Sequence, residues 1–322
     1  VYTNYYFFDE NCSYNLLLVL EAARPGVDFI KTLPPWVIPM DTVRAIKTSG
    51  VSVNDAHYRP SKASKIRHLE GLVSTEVKAV AITAAQGANN EDVWKDASLP
   101  VEHRALGLEL ASEYVQYRYA KDLVTKEEYT KLFLKLLGLR SALGAVAVNE
   151  VEAPVEPEGG HGPARLASAI GSKAGEAFLS LSLRPANHSL TDPDAGYLPG
   201  AAITFMDAEA RYYFEQEKLV LEKLTLVGID SVAPRDEFFK PTSWTVELAV
   251  EREEPRKGEN RTVFRANGGV GLSYSFAPQG LVYGFVEPAL KAGSGLDKGY
   301  AIGALARAGL LKSVTRKWKA QF

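Results

Sequence analysis

The only cysteine of the 322-residue chain, Cys12, lies where the sequence predicts the start of a helix. Asn11 before it is a favourable N-cap residue, and Leu16, Leu17 and Leu20 supply an apolar face that would pack the helix onto its core. A helix N-terminus carries partial positive charge and unpaired backbone N–H groups, which favour an ionised thiolate. We therefore predict that Cys12 is a nucleophile. The alternative is that Cys12 is a small buried side chain, as most free cysteines are.

The residues around Cys12 form a recognisable motif in two pieces. The aromatic run Tyr5-Tyr6-Phe7-Phe8 leads into Asp9-Glu10-Asn11-Cys12-Ser13, and the leucine-rich helix is followed by Ala23-Arg24-Pro25. The second piece is Trp36-Val37-Ile38-Pro39-Met40-Asp41-Thr42-Val43-Arg44. In these segments, over roughly residues 1–60, the chain resembles the Lnb-type periplasmic domain family of bacteria.

This resemblance implies a circularly permuted papain-like fold, related in plan to NlpC-type amidases and lecithin:retinol acyltransferases. In that plan a histidine on an earlier strand takes the thiol proton, and the thiolate attacks an ester or amide carbonyl to form an acyl-enzyme. Only Cys12 can be matched, because no histidine precedes it in this sequence. The chain also opens at Val1 without a signal peptide, so we expect a fragment of a longer catalytic protein.

Composition excludes several classes of function. The chain has 37 basic and 39 acidic residues and a net charge of −2, so it lacks the basic field that recruits nucleic acid. A single cysteine excludes an intrachain disulfide. No apolar run reaches the length of a transmembrane helix, so any insertion into a membrane would use β-strands. We expect no cofactor and no metal.

The predicted fold class is α+β, with four segments. Residues 1–60 are the C-terminal part of an Lnb-like catalytic domain, residues 61–145 a helical region, and residues 146–163 an acidic linker rich in proline and glycine. Residues 164–322 form an antiparallel β-barrel, with an outer-membrane location as one interpretation. The helical region is either a cap over the catalytic domain or simple structural packing.

Several signals in the first half are typical of helices. Asp41 caps a short helix that ends near Gly50, and Pro60-Ser61 opens another. Apolar spacing predicts helices over residues 75–85 and 101–124. Thr125 and Glu128 form a capping box at the start of a further helix.

After residue 164 the hydrophobic pattern changes to strict alternation, which predicts about eight antiparallel strands. Examples are Leu179, Leu181 and Leu183, or Trp244, Val246 and Leu248. The predicted interfacial aromatic residues of a membrane barrel are Tyr197, Tyr212, Tyr213, Phe238, Phe239, Trp244 and Trp318. In such a barrel Glu247, Glu251 and Arg265 would face a polar lumen, whereas a soluble barrel or sandwich would turn them to water.

A second candidate site lies in the segment Asn187-His188-Ser189-Leu190-Thr191-Asp192-Pro193-Asp194. His188, Asp192 and Asp194 with Ser189 would suit a Ser-His-Asp cluster or a divalent-ion loop, although such residues more often stabilise a turn by bonding their own backbone. His57, His68 and His103 have no spacing that names a metal site.

Two functions follow. The first is an envelope thiol acyltransferase or hydrolase that acts on a lipid ester, a lipoprotein or a cell-wall amide. The resemblance to the Lnb-type family points to acyl transfer onto lipoprotein N-termini, in the periplasm or at the outer membrane. The second is a noncatalytic β-barrel anchor or scaffold in the outer membrane. The expected partners are membrane lipid or lipoprotein, and not nucleic acid.

Overall fold

The computed structural model describes residues 4–6, 10–34, 36–51, 57–147, 150–173, 175–256, 259–276, 279–315 and 318–322. Phe7, Phe8 and Asp9 of the motif, and Lys257 and Gly258 of a turn between two predicted strands, lie outside these residues. The chain forms two compact units. One comprises residues 1–53 and 154–322, and the other comprises residues 54–153.

The first unit begins with helix α1 (Cys12–Ala23) and helix α2 (Pro39–Thr48). Leu17 of α1, Phe29 and Ala45 of α2 form a small buried cluster. Asp41 accepts the backbone N–H of Ile38 from the third helical position of α2, so it stabilises the start of this helix without being its N-cap. Predicting Asp41 as the cap was therefore wrong in position by three residues.

Helix α2 is bonded to the segment that precedes the sheet. The guanidinium of Arg44 donates to the backbone oxygens of Glu158, Gly160 and His161. Lys47 pairs with Glu158 at 2.5 Å. The residues that composition assigns to a linker are thus tied to α2 by hydrogen bonds and an ion pair.

Ten strands form one antiparallel sheet. They are β1 (Arg165–Lys173), β2 (Glu176–Arg184), β3 (Ala186–His188), β4 (Ala201–Tyr213), β5 (Lys218–Ser231), β6 (Ser243–Arg256), β7 (Glu259–Phe276), β8 (Gly280–Ala292), β9 (Tyr300–Ser313) and β10 (Lys319–Gln321). The alternating segments after residue 164 are confirmed as strands, and helices beside a large antiparallel sheet confirm the α+β class.

The sheet is not closed into the predicted barrel. Its order is β1-β2-β4-β5-β6-β7-β8-β9-β10, with β3 paired to β4. Strands β1 and β10 are the two ends of this order, and within the described part of the chain they do not pair with each other. Closure requires pairing between the first and last strands, which alternation within single strands cannot reveal.

The sheet is nevertheless strongly curled. Arg307 Nη2 on β9 lies 2.6 Å from Asp230 Oδ1 on β5. In a flat sheet these two strands would be about 19 Å apart, because four strand spacings separate them. The face that carries Arg307 and Asp230 is therefore the concave face.

Charged side chains are paired along the concave face. Arg265 Nε lies 2.9 Å from Glu251 Oε1, and Arg307 Nε lies 2.8 Å from Glu287 Oε1. Arg265 also pairs with Glu247. The three charged residues predicted to share a polar interior, Glu247, Glu251 and Arg265, are thus joined in one cluster of ion pairs.

The convex face is apolar. Directly opposed residues of an antiparallel ladder point to the same side, and one such row across β1, β2, β4 and β5 consists of Ile170, Leu179, Tyr212 and Leu219. A second row across β6, β7, β8 and β9 consists of Trp244, Val270, Val286 and Ala306. All seven large side chains of these two rows are exposed. Apolar residues on the convex face and ion pairs on the concave face are the reverse of a soluble barrel.

Most of the predicted interfacial aromatic residues do not lie on this convex face as exposed side chains. Tyr213, Phe238 and Phe239 are buried, and Tyr197 stacks on His188. Tyr212, Trp244 and Trp318 are exposed. The prediction that an interfacial girdle contains Tyr197, Tyr213, Phe238 and Phe239 was wrong. Position near a strand end does not determine which face of the sheet a ring occupies.

The second unit is helical. Its helices are α3 (Lys62–Glu70), α4 (Thr75–Ala85), α5 (Glu91–Lys95), α6 (Val101–Ala120) and α7 (Lys126–Ala142). Ser61, Ser74 and Thr125 are side-chain N-caps, and Glu128 completes the predicted capping box. Helix α6 ends at Ala120, four residues before the predicted end at Val124. Two residues beyond Ala120, Asp122 adopts a positive φ of 55°. Among the helices of the described residues, none has the length and hydropathy needed to cross a membrane.

Helix α6 packs closely against its neighbours at Gly107. A Cβ atom at this position would lie 2.7 Å from Cζ3 of Trp94 and 2.7 Å from Cγ1 of Val77. We expect Gly107→Ala to destabilise the helical unit by about 1–2 kcal/mol, because overpacking costs about 1–3 kcal/mol and the gain in helix propensity offsets part of it. Faster amide exchange in α4 and α6, measured by mass spectrometry, would report the loss.

Gly138 of α7 provides the matched control for this substitution. A Cβ atom there would meet no atom within 4 Å. Gly138→Ala is therefore expected to stabilise the same unit by about 0.5–1 kcal/mol through helix propensity alone. Equal effects of the two alanines would contradict the close contact at Gly107.

Candidate functional site

Cys12 is the first residue of α1, and its side chain is exposed. Asn11 occupies the N-cap position, where its Oδ1 accepts the backbone N–H groups of Ser13 and Tyr14, each at 3.1 Å. Its Nδ2 donates to the backbone oxygen of Val37 at 2.6 Å. Because Asn11 is buried and bonded on both sides, it fixes the first turn of α1 against the second piece of the motif.

Cys12 lines a cleft of about 320 Å³ within the first unit. The cleft is mostly apolar, and its other lining residues are Tyr5, Asn11, Ile38, Pro39, Pro163, Ala186, Asn187, His188, Tyr197, Ile203 and Phe205. One wall therefore comes from the helical segments of residues 1–53 and the other from the edge of the sheet. Apolar walls with a few polar groups suit an organic ligand with a hydrocarbon part.

His188 lies on the sheet side of this cleft, at the end of β3. Its side chain is 2% exposed and stacks on the ring of Tyr197, with centroids 3.9 Å apart. Burial lowers the pKa of His188 below its ordinary value, and the neighbouring His161 lowers it further. The imidazole is therefore neutral at neutral pH.

The hydrogen bonds of His161 determine where the protons of the two rings lie. His161 Nδ1 is 2.7 Å from the backbone oxygen of Gly162, which can only accept, so Nδ1 carries the proton. In the neutral ring Nε2 is then an acceptor, and His188 Nδ1 donates to it at 2.8 Å. His188 Nε2 is left with its lone pair, buried and without a hydrogen-bond partner among the described residues.

The two aspartates of the second candidate site have different surroundings. Asp192 accepts the backbone N–H of Ser189 at 2.7 Å, and Asp194 pairs with Lys319 Nζ at 2.8 Å. Burial alone would raise the pKa of Asp192, but the Ser189 bonds and the nearby His161 and His188 lower it below its ordinary value. Asp192 is therefore a carboxylate that stabilises the turn after β3.

The predicted Ser-His-Asp cluster is only partly brought together. The hydroxyl of Ser189 lies 3.1 Å from that of Thr191. One ligand atom each from His161, His188 and Asp192 lies within 4.8 Å of the other two, and these three residues could hold a metal ion. Asp194 is not part of this group.

The other predicted histidines lie in the helical unit. His57 and His68 line a separate cavity of about 550 Å³, together with Glu109 and Glu113. His103 lies on α6. Within the residues that the structure describes, these histidines are not part of a group of three metal-ligating side chains.

Sequence reasoning missed His161 and Tyr197 as site residues. His161 lies between Gly160 and Gly162 in the segment that composition assigns to a linker. Its backbone oxygen accepts from Arg44 Nη2 at 3.1 Å and from the hydroxyl of Tyr197 at 2.9 Å. A single histidine among glycines is the one local signal that could have marked this position.

Comparison with known families divides the chain into three matches. Residues 1–49 match the Lnb N-terminal periplasmic domain, which indicates a periplasmic or envelope location. Residues 56–151 and 154–322 match two families described as Domain of unknown function, DUF7842 and DUF7840. No curated protein matches the chain. No solved structure matches it either.

Proposed function

We propose that this chain, which belongs to the family described as Domain of unknown function (DUF7840) and begins with a match to the Lnb N-terminal periplasmic domain, takes part in thiol-dependent acyl transfer or hydrolysis in the bacterial envelope. The substrate is a lipid ester, a lipoprotein or a cell-wall amide, and Cys12 is the nucleophile. The observation that supports this proposal is the position of Cys12, exposed on an apolar cleft at the first turn of α1.

The chemistry follows the general scheme for a cysteine nucleophile. The thiol of Cys12 gives its proton to water, the thiolate attacks the acyl carbonyl, a thioester forms, and the leaving alcohol or amine takes a proton back from water. Water or an acceptor amine then attacks the thioester and restores the thiol. The thiol is exposed at the first turn of α1, and the apolar cleft walls suit the acyl chain.

Two measurements on the intact chain test this proposal. We expect iodoacetamide at pH 7 to alkylate the cysteine of the folded protein without denaturant, because its side chain is exposed on the cleft. We also expect p-nitrophenyl octanoate to leave an octanoyl group on Cys12, detected by mass spectrometry. Cys12→Ser should remove the adduct.

Two outcomes would overturn the catalytic role. One is alkylation of Cys12 only after unfolding, which would show a buried thiol. The other is octanoyl transfer that is equally fast in Cys12→Ser, which would place the reaction elsewhere. The unfolded chain is a matched reference, since its one cysteine is the same atom in a solvated environment.

A second candidate function is a noncatalytic membrane anchor or scaffold. The apolar convex face and the paired charges of the concave face favour this function, because strands that contact lipid carry apolar residues outward and polar residues inward. Its partner is membrane lipid of the outer membrane. In this case Cys12→Ser would retain membrane association and every other property of the protein.

A further inference from the structure

His161 precedes β1, His188 ends β3 and Asp192 lies in the turn after β3, and the three side chains meet beside the Cys12 cleft. We propose that these three residues bind a divalent transition-metal ion such as Zn²⁺ or Fe²⁺. Two imidazoles and one carboxylate are a ligand set that such ions prefer, with the remaining positions open to water or substrate. The site does not depend on the catalytic role of Cys12.

The spacing of the donor atoms supports the proposal. His161 Nε2 and His188 Nδ1 are 2.8 Å apart, and a ligand atom of Asp192 completes a group within 4.8 Å. Two nitrogens bound tetrahedrally around an ion, with bonds of about 2.1 Å, would be roughly 3.4 Å apart. The two nitrogens would therefore have to move apart by roughly 0.6 Å from their 2.8 Å separation to admit the ion.

Two of the three ligands, His161 and Asp192, are oriented by a second hydrogen bond. His161 donates its other ring N–H to the backbone oxygen of Gly162 at 2.7 Å, which directs the lone pair of Nε2 at His188. Asp192 Oδ2 accepts the Ser189 N–H at 2.7 Å, while Oδ1 lies 3.9 Å from Arg165, beyond hydrogen-bond range. Hydrogen bonds of this kind, from groups that do not themselves contact the ion, typically orient metal-binding side chains.

Metal binding requires one proton to move. The proton that joins His188 Nδ1 to His161 must leave Nδ1, and His188 Nε2, which has no partner among the described residues, can take it. A ring that binds a metal keeps one proton and offers the lone pair of its other nitrogen to the ion. The ion forms bonds to two nitrogens and one carboxylate oxygen, and no net proton is released from the rings.

The test uses the full chain without an affinity tag, treated with chelator, in the Cys12→Ser background so that the thiol cannot act as a ligand. Titration with Zn²⁺ is expected to give one tight ion per chain by calorimetry, and Co²⁺ is expected to give visible absorption bands. His161→Gln should weaken Zn²⁺ affinity at least 100-fold and remove the Co²⁺ bands. Asp192→Asn should also weaken Zn²⁺ binding.

His103→Ala on α6 is the matched control and should bind Zn²⁺ like the parent. His161 is the preferred target because its side chain is only partly buried, and circular dichroism will show that His161→Gln is folded. Equal Zn²⁺ binding by parent and His161→Gln would overturn the proposal, and so would a folded parent that binds no Zn²⁺ below millimolar concentration. Either failure leaves the test of Cys12 unaffected.

Discussion

Replacing Arg307 by methionine is expected to weaken the sheet by about 1–3 kcal/mol, between the cost of breaking an exposed ion pair and a buried one, because Glu287 is buried whereas the Arg307 side chain is 35% exposed. Arg307 Nη2 lies 2.6 Å from Asp230 Oδ1 and 2.9 Å from Thr245 Oγ1, and its Nε lies 2.8 Å from Glu287 Oε1. Methionine retains much of the volume but none of the hydrogen bonds. The loss of stability therefore measures how much the hydrogen bonds and ion pairs of Arg307 contribute on the concave face.

The size of the effect follows from the environment of the carboxylates. Glu287 is only 3% exposed and also accepts a hydrogen bond from Asn267 Nδ2 at 2.7 Å. The guanidinium of Arg307 now binds both this carboxylate and that of Asp230. Without it, both negative charges would remain on the concave face with one cationic partner fewer. An uncompensated charge in such a place costs several times more than an exposed pair.

Hydrogen exchange by mass spectrometry can locate this loss in the intact chain. Amides of β5, β6 and β8 should exchange about 5 to 160 times faster in Arg307→Met than in the parent. Arg59→Met, at an exposed arginine of the helical unit, should leave all strands unchanged. Adding Glu287→Gln to Arg307→Met should restore part of the protection, because a neutral amide removes the unpaired charge. Unchanged exchange in β5 would contradict a bridge across the curled sheet.

Local signals allowed most of the regular elements to be predicted. The alternation at Leu179, Leu181 and Leu183 marks β2 because each strand has one polar and one apolar face. Ser61 and Thr125 mark helix starts because their side chains bond the first-turn amides. Such signals depend on neighbours within a few residues, and the sequence shows those directly.

Features that depend on distant partners could not be predicted in this way. Strands β3 and β10 have three residues each, too few for an alternation pattern, and they exist because β4 and β9 pair with them. The open edges of the sheet and its curl are set by pairing over the whole β region. Alternation predicts which residues share a face, but it does not say whether that face meets lipid, protein or water.

The candidate site shows the same division. Asn11 and Cys12 could be predicted because a cap and the residue after it are adjacent in sequence. The contact between His161 and His188 spans 27 residues and arises because Arg44 and Tyr197 hold the backbone of His161. A histidine among glycines therefore becomes a site residue only through contacts that the sequence does not display.

The environment of the convex face can be tested by placing a charge on it. Val286 of β8 belongs to the apolar row with Trp244 and Val270, and its side chain is 62% exposed. If this face contacts lipid, Val286→Arg should cost about 2–4 kcal/mol, the penalty for arginine near the middle of a bilayer. That corresponds to a loss of about 30- to 900-fold in partitioning into vesicles of phosphatidylethanolamine and phosphatidylglycerol, measured by flotation.

The same substitution at an exposed leucine of the helical unit separates lipid contact from a general effect of charge. Leu134 of α7 has an exposed fraction of 59%, similar to the 62% of Val286. We expect Leu134→Arg to partition into vesicles like the parent. If the convex face met water, arginine at Val286 would be as harmless as arginine at Leu134, because an exposed charge costs little. Equal partitioning of the two variants, both folded by circular dichroism, would therefore exclude lipid as the partner of this face.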